Sequence, residues 1–297
     1  MILVSGGTGF VGSHLVPRLA KSEEKIRCLV RSMAKTEALE EHGAEPAVGD
    51  VTDSQSLREA LQGIDTVIHL VAIIRETRGA TFGGVNAQGT RNIVEAAQSA
   101  GVKRFIHMSA LGASPDPKYR YTHSKWQGEE AIRSSNLDFI IFRPSAIFGQ
   151  GFGYSFIDSM IRSLRMFPFI APVPGSGKTR FQPIWVEDVV ACIVSALQAG
   201  KDGQTYEIGG PEHLSYEEML DTVIHVLGMR RTKLHIPIPL MRIAVMAMER
   251  TMNNPPVTSV ELAQLEIDNT THLDSVERCF GFKPLALNQG LDYIKPS

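Results

Sequence analysis

Residues 2–12, Ile-Leu-Val-Ser-Gly-Gly-Thr-Gly-Phe-Val-Gly, constrain this chain more than any other stretch, because an apolar run passes straight into glycines at 6, 9 and 12. Ile2–Val4 predict a buried strand, and Phe10, Val11, Leu15, Val16 and Leu19 form the apolar face of an amphipathic helix behind it. Gly6 permits the tight turn between them. Gly9 lets the backbone approach a bound diphosphate, and Gly12 lets the helix pack closely on the sheet. The unpaired N–H groups and positive dipole end of such a helix favour a diphosphate without any basic side chain. Gly6, Gly7, Thr8, Gly9, Phe10, Val11 and Gly12 are therefore expected to cradle a dinucleotide.

Further strand-like runs, Ile26–Val30, Pro46–Val48, Thr66–Val71, Phe105–Met108 and Phe139–Phe142, alternate with helical patterns. That alternation predicts an α/β fold: a doubly wound parallel sheet of the Rossmann type with a smaller, mostly helical lobe. After Gly149 the rhythm breaks at Gly151–Tyr154 and Pro168–Gly177. It returns as a capped helix over Ile184–Leu197 and a strand over Thr205–Ile208, then a helix over Tyr216–Leu227 and an extended segment over Leu234–Ile238. The expected division is a dinucleotide domain, 1–150 plus about 178–210, and a substrate or partner lobe, 151–177 plus 211–297.

A net charge of −2 gives no electrostatic basis for binding nucleic acid, so the expected partner is a small molecule. Cys28, Cys192 and Cys279 are far apart and lack ligand-spaced histidines, which argues against a disulfide framework or a zinc site. With the first strand opening at residue 2 and no run as long as a membrane span, a cytoplasmic protein is expected. Ile236–Met248 is apolar but interrupted by Pro239 and Arg242; it is expected as a core helix, with protein or membrane-surface contact through 236–252 as the other outcome. Gly175–Thr179 imitates a phosphate loop, but Pro172 stands where that loop needs its leading glycine. His107 and His123 lack ligand spacing and are expected to pack or to sit at the surface.

Three places carry chemistry. At the end of the second strand Arg31 and Ser32, helped by Lys35, stand where an NAD site offers a carboxylate, so NADP is expected in preference to NAD. At the end of the third, Asp53 is expected to cap a helix over Ser54–Leu61. Asp50, beside Val51, is then left to meet the adenine or to serve the loop. Tyr121 and Lys125, at i and i+4, share a helix face, and Ser109 ends the fifth strand. An ammonium near a phenol lowers the phenol's pKa and suits it to proton transfer. Tyr119, six residues from Lys125, falls on another face.

Together these motifs resemble the extended or atypical short-chain dehydrogenases/reductases, the NAD-dependent epimerase/dehydratase-like superfamily. The likeness rests on Ser5–Gly12, Gly49-Asp50-Val51, Asn86-Ala-Gln-Gly89-Thr90, Ser109, Tyr121/Lys125, Arg143-Pro144-Ser145 and Trp185–Val189. Tyr206–Pro211 and Ile236–Pro239 most resemble the group containing the nucleotide-binding accessory subunit of respiratory complex I. The resemblance implies that Tyr121 is the acid/base, that Lys125 also holds the nicotinamide ribose and that Ser109 stabilises the substrate oxygen. It also implies that the loop after Pro144 borders the nicotinamide. His69-Leu-Val71-Ala72 stands where relatives often carry a small Ala/Gly-rich turn beside the cofactor ribose, a departure from the pattern, with Val71 and Ala72 expected at the cofactor. The expected reaction is hydride transfer between NAD(P) and a carbonyl or alcohol. The alternatives are a nucleotide-sugar epimerase/dehydratase and an NADP(H)-binding assembly protein of a respiratory-type redox complex. Ile73, Ile74, Phe148, Phe152 and Phe156 suggest an apolar substrate lining.

Overall fold

Ile2, Leu3, Val4 and Ser5 are buried to the last residue, as a strand covered on both faces must be. The computed structural model describes residues 1–22, 24–151, 155–199, 203–252 and 255–295, the side chains of Lys35 and Ala199 excepted. The chain divides into two compact units, Met1–Pro144 with Val189–Glu207 and Ser145–Asp188 with Ile208–Ser297.

The first unit is built on β1 (Ile2–Ser5), α1 (Phe10–Leu19), β2 (Ile26–Val30), β3 (Glu45–Val48), β4 (Thr66–His69), α2 (Gly89–Ser99), β5 (Arg104–Met108), α3 (Arg120–Arg133), β6 (Asp138–Pro144) and β7 (Gln204–Ile208). These strands form one sheet in the order β7-β6-β5-β4-β1-β2-β3. The registered pairs from β3 to β6 are all parallel. Strand order reverses between β1 and β4, and a doubly wound sheet opens its ligand crevice at such a switch point. Leu3, Val67, Phe105 and Ile141 share one buried cluster with Leu57, Leu61, Ile93 and Ile132.

In the second unit, capping boxes at Ser155/Asp158 and Ser215/Glu218 open α4 (Phe156–Met166) and α5 (Tyr216–Val226). Both helices bury one face around Ile157, Leu164, Met219 and Val223. A parallel strand pair, Ile170–Pro174 with Thr232–Ile236, leads into α6 (Ile238–Thr251).

Several expectations need correction. Ile184–Trp185 is a short strand beside Ile147–Phe148, and the helix runs from Val186 to Ala199. Strand β4 stops at His69 rather than Val71. The helix expected over 54–61 covers only Leu57–Ala60, because Asp53 accepts from Gln55 N at 3.0 Å and caps a preceding turn. The segment 236–248, expected as a core helix, is core on one side only: Val245 is fully buried and Ile238, Met241 and Met248 pack against the second unit's core, while the other side of α6 is exposed. Phe148 is fully buried and Phe156 half-buried. They stack at 5.3 Å on Trp185 and 4.9 Å on Phe181, inside the second unit's core. Phe152–Tyr154 lie outside the described residues. Among the described residues no helix is long and apolar enough to cross a membrane.

Candidate active site

The loop between β1 and α1 has walls that a Cβ would fill. Gly6 has φ +85°, and its Cβ would lie 3.1 Å from Val71 N. At Gly12 it would lie 2.7 Å from Gly7 Cα and nearer still to the Gly6 carbonyl oxygen, and at Gly7 2.9 Å from Cys28 Sγ. Thr8 and Gly9 are exposed, and Phe10 and Val11 half-buried. Gly9 begins α1 with no side-chain cap and no acidic residue in the first turn. An uncapped helix N-terminus behind a wall of glycine fits a diphosphate.

At the end of β2, Arg31 is exposed. The Ser32 hydroxyl caps the following turn, accepting from Ala34 N at 3.0 Å. The side chain of Lys35 lies outside the described residues. Asp50 turns its carboxylate to Thr52, whose N and Oγ1 both donate at 2.8 Å, while Val51 is buried against Gly89 at the start of α2. Val71 is half-buried and Ala72 exposed, both just after β4.

Helix α3 brings the remaining groups to the end of β5. Tyr121 and Lys125 share its face, and Phe82 packs against the Tyr121 ring at 5.7 Å. Lys125 is 1% exposed, and its Nζ donates to Met108 O at 2.6 Å, one residue before Ser109. Burial pushes this ammonium down to about 8, against an upward pull from Glu129. Burial also pushes the Tyr121 phenol up to about 12, so the lowering expected from Lys125 is not found here. Ser109 does not aim its hydroxyl at Tyr121; it donates to Glu129 Oε1 at 2.5 Å. Pro144 O accepts from Leu111 N at 2.9 Å and ties the end of β6 to the segment after Ser109.

Sequence reasoning gave no specific role to three buried groups. Glu129 is fully buried, and Arg143 grips it through Nε at 2.8 Å and Nη2 at 2.7 Å, with Arg133 Nη2 at 2.9 Å. These contacts outweigh desolvation and hold its carboxyl below the usual range. Its place four residues after Lys125 puts it on the same helix face, a signal that was available. Asn86 accepts from Ile73 N at 2.8 Å and donates to Ile73 O and Ser124 Oγ, while Ser124 donates to Tyr121 O. His69 links β1 to α2, with Nδ1 2.6 Å from Ser5 Oγ and Nε2 3.0 Å from Thr90 Oγ1. Burial and the Lys125 charge keep it neutral, with a pKa pushed down to about 3. His107 stacks on it at 5.3 Å.

A model of the NAD dependent epimerase/dehydratase family matches residues 2–209. The chain belongs to that family. Among its curated relatives, a sterol demethylase protein B of Methylococcus capsulatus is 33% identical over 264 residues, 81% of this chain and 78% of the relative. Subunit 9 of the NADH dehydrogenase (ubiquinone) 1 alpha subcomplex of Arabidopsis thaliana is 27% identical over 286 residues, 92% of this chain and 70% of the relative. A ceramide reductase of Caulobacter vibrioides is 30% identical over 245 residues, 80% and 74% of the two chains. A solved UDP-glucose 4-epimerase of Thermus thermophilus in complex with NAD shares the fold at a TM-score of 0.74 and 19% identity, covering 98% of this chain and 96% of that one.

The family member described here is an NAD-dependent enzyme of the oxidoreductase or epimerase type. The expected preference for NADP is corrected. Five other solved structures, with TM-scores of 0.73–0.76 and 20–22% identity, also hold NAD, against one that holds NADPH.

Proposed function

We propose that this enzyme oxidises or reduces an apolar alcohol or ketone with NAD, using Tyr121 as the group that moves the proton. The observation that carries this reading is the Lys125 ammonium, buried against Met108 O one helical turn from Tyr121. A fixed positive charge at that depth stabilises a phenolate formed during turnover and offsets the burial that holds the resting phenol protonated. The Gly6–Gly12 loop would hold the diphosphate, Lys125 the nicotinamide ribose, and Val71, Ala72 and Pro144 would border the cofactor. Arg31 and Asp50 would flank its adenosine half. When bound, the nicotinamide supplies or accepts hydride. Tyr121 Oη gives a proton to the substrate oxygen in reduction and takes it in oxidation. Ser109 would serve by anchoring Glu129 rather than by touching substrate. The relatives named for sterol and ceramide chemistry support an apolar substrate.

The test pairs NAD with sterol-like and long-chain alcohols and follows reduced nicotinamide by absorbance. Tyr121→Phe is expected to keep NAD affinity and lose about 10²-fold or more in turnover. Full turnover in that variant would reject the role. A second reading is a nucleotide-sugar epimerase, supported by NAD-bound epimerases of the same fold. It predicts sugar inversion with no net absorbance change. A third, an accessory subunit of a respiratory complex, rests on the Arabidopsis relative and predicts function indifferent to Tyr121→Phe.

A further inference from the structure

Helix α6 turns a second apolar face outward. Met241, Val245 and Met248 pack inward against the cluster that includes Leu262 and Leu265. The opposite side carries Pro239, Leu240, Ile243, Met246 and Ala247, all exposed, with Leu240 at 61%, Ile243 at 64% and Met246 at 56%. The flanking charges are engaged within the protein. Arg242 pairs with Glu266, and Glu249 accepts from the amide and hydroxyl of Ser259. A stripe of large aliphatic side chains along most of a 14-residue helix is a cost in water that a monomer rarely carries without a use.

The surrounding charge indicates what covers it. Residues 230–250 hold five cations against one carboxylate, Glu249; Lys233 is paired with Glu217 and Asp221 and Arg242 with Glu266, which leaves Arg230, Arg231 and Arg250 to carry the local positive charge in a chain of net charge −2. Arg250 lies on the exposed face at the end of the apolar stripe. A second apolar point stands beside Arg230 and Arg231: Phe169 is 81% exposed, and its carbonyl accepts from Thr232 N at 3.1 Å. The stripe offers no hydrogen-bonding group that would fix the register of a protein partner. Aliphatic side chains on one face and arginines at its edge match the acyl boundary and the anionic headgroups of a bilayer.

We propose that α6 docks the protein on the surface of an anionic phospholipid bilayer, lying along it without spanning it. The inference is independent of the redox reading, because docking is measured without substrate. The experiment is co-sedimentation of the purified protein with vesicles of phosphatidylcholine alone and of phosphatidylcholine mixed with phosphatidylglycerol. Partition onto the mixed vesicles is expected to be about tenfold stronger or more and to fall as salt is raised. The variant Leu240→Gln/Ile243→Gln/Met246→Gln is expected to lose about tenfold or more of that partition. Arg250→Glu alone is expected to weaken binding to the mixed vesicles and leave the neutral ones unchanged. Both changes are at exposed positions, so an unaltered melting temperature accompanies them. Absence of binding to mixed vesicles overturns the proposal, as does binding unaffected by either variant. Self-association in the ultracentrifuge that the triple variant abolishes, without vesicle binding, assigns the face to a second copy of the chain and overturns it too.

Discussion

Glu129→Gln tests the buried charge cluster most sharply. The wild-type carboxylate is fully buried and accepts from Arg143 twice, at 2.8 and 2.7 Å, from Arg133 at 2.9 Å and from Ser109. Glutamine keeps the shape but removes the charge, and its amide presents N–H groups where guanidinium N–H groups already point. Arg143, with only 19% of its side chain exposed, is left with the half-exposed Glu207, at 3.4 Å, as its carboxylate partner. Breaking a buried ion pair from one side costs about 3–5 kcal/mol. At about 2 °C per kcal/mol for a chain of this length, the melting temperature should fall by roughly 6–10 °C. The pH dependence supplies a second arm. Glu129's folded pKa is depressed, so its contribution is fully present above the unfolded value of about 4.3 and is lost as pH falls through the folded one. Wild type and variant should therefore converge in acid. Urea unfolding at neutral and acidic pH measures both. A melting temperature within about 1 °C of wild type at neutral pH, or a difference that persists unchanged in acid, would refute the reasoning.

Gly12→Ala should lower stability and abolish NAD binding, because backbone blocks the new methyl; the clash, about 1–3 kcal/mol or more, exceeds the roughly 1 kcal/mol alanine gains in a helix. Calorimetric titration with NAD checks it. Lys125 has a folded pKa near 8, below its unfolded value of about 10.4, so the folded state binds fewer protons between the two. Stability should therefore gain from this group as pH rises through that window, and Lys125→Met should remove the gain in urea midpoints.

The nucleotide loop was legible because all its determinants sit within a dozen residues: strand, turn and helix follow one another, and Gly6 and Gly12 are needed for contacts made locally. Tyr121 and Lys125 were legible for the same reason, being one turn apart. The environment of Ser109 was not. Its partner Glu129 comes from the helix that crosses back over β5, and Arg143 from the next strand, so the hydroxyl's direction depends on long-range packing. Arg31 misled because a basic side chain at a strand end is compatible with either cofactor and does not by itself select a 2′-phosphate. In α6 the period was correct and the burial was correct on one side only, since 3.6-residue spacing is equally good for a core and for a surface with an external partner.

The sheet's outermost strand on one side, β7, is supplied by residues 204–208, about sixty positions after β6 ends at Pro144. During synthesis at roughly 5–20 residues per second, that edge therefore stands open for several seconds before its cover is made. An uncovered parallel edge invites pairing with a neighbouring nascent chain. A truncation ending near residue 150 would make that interval permanent, so a recombinant fragment cut there should aggregate even though it holds the entire glycine loop.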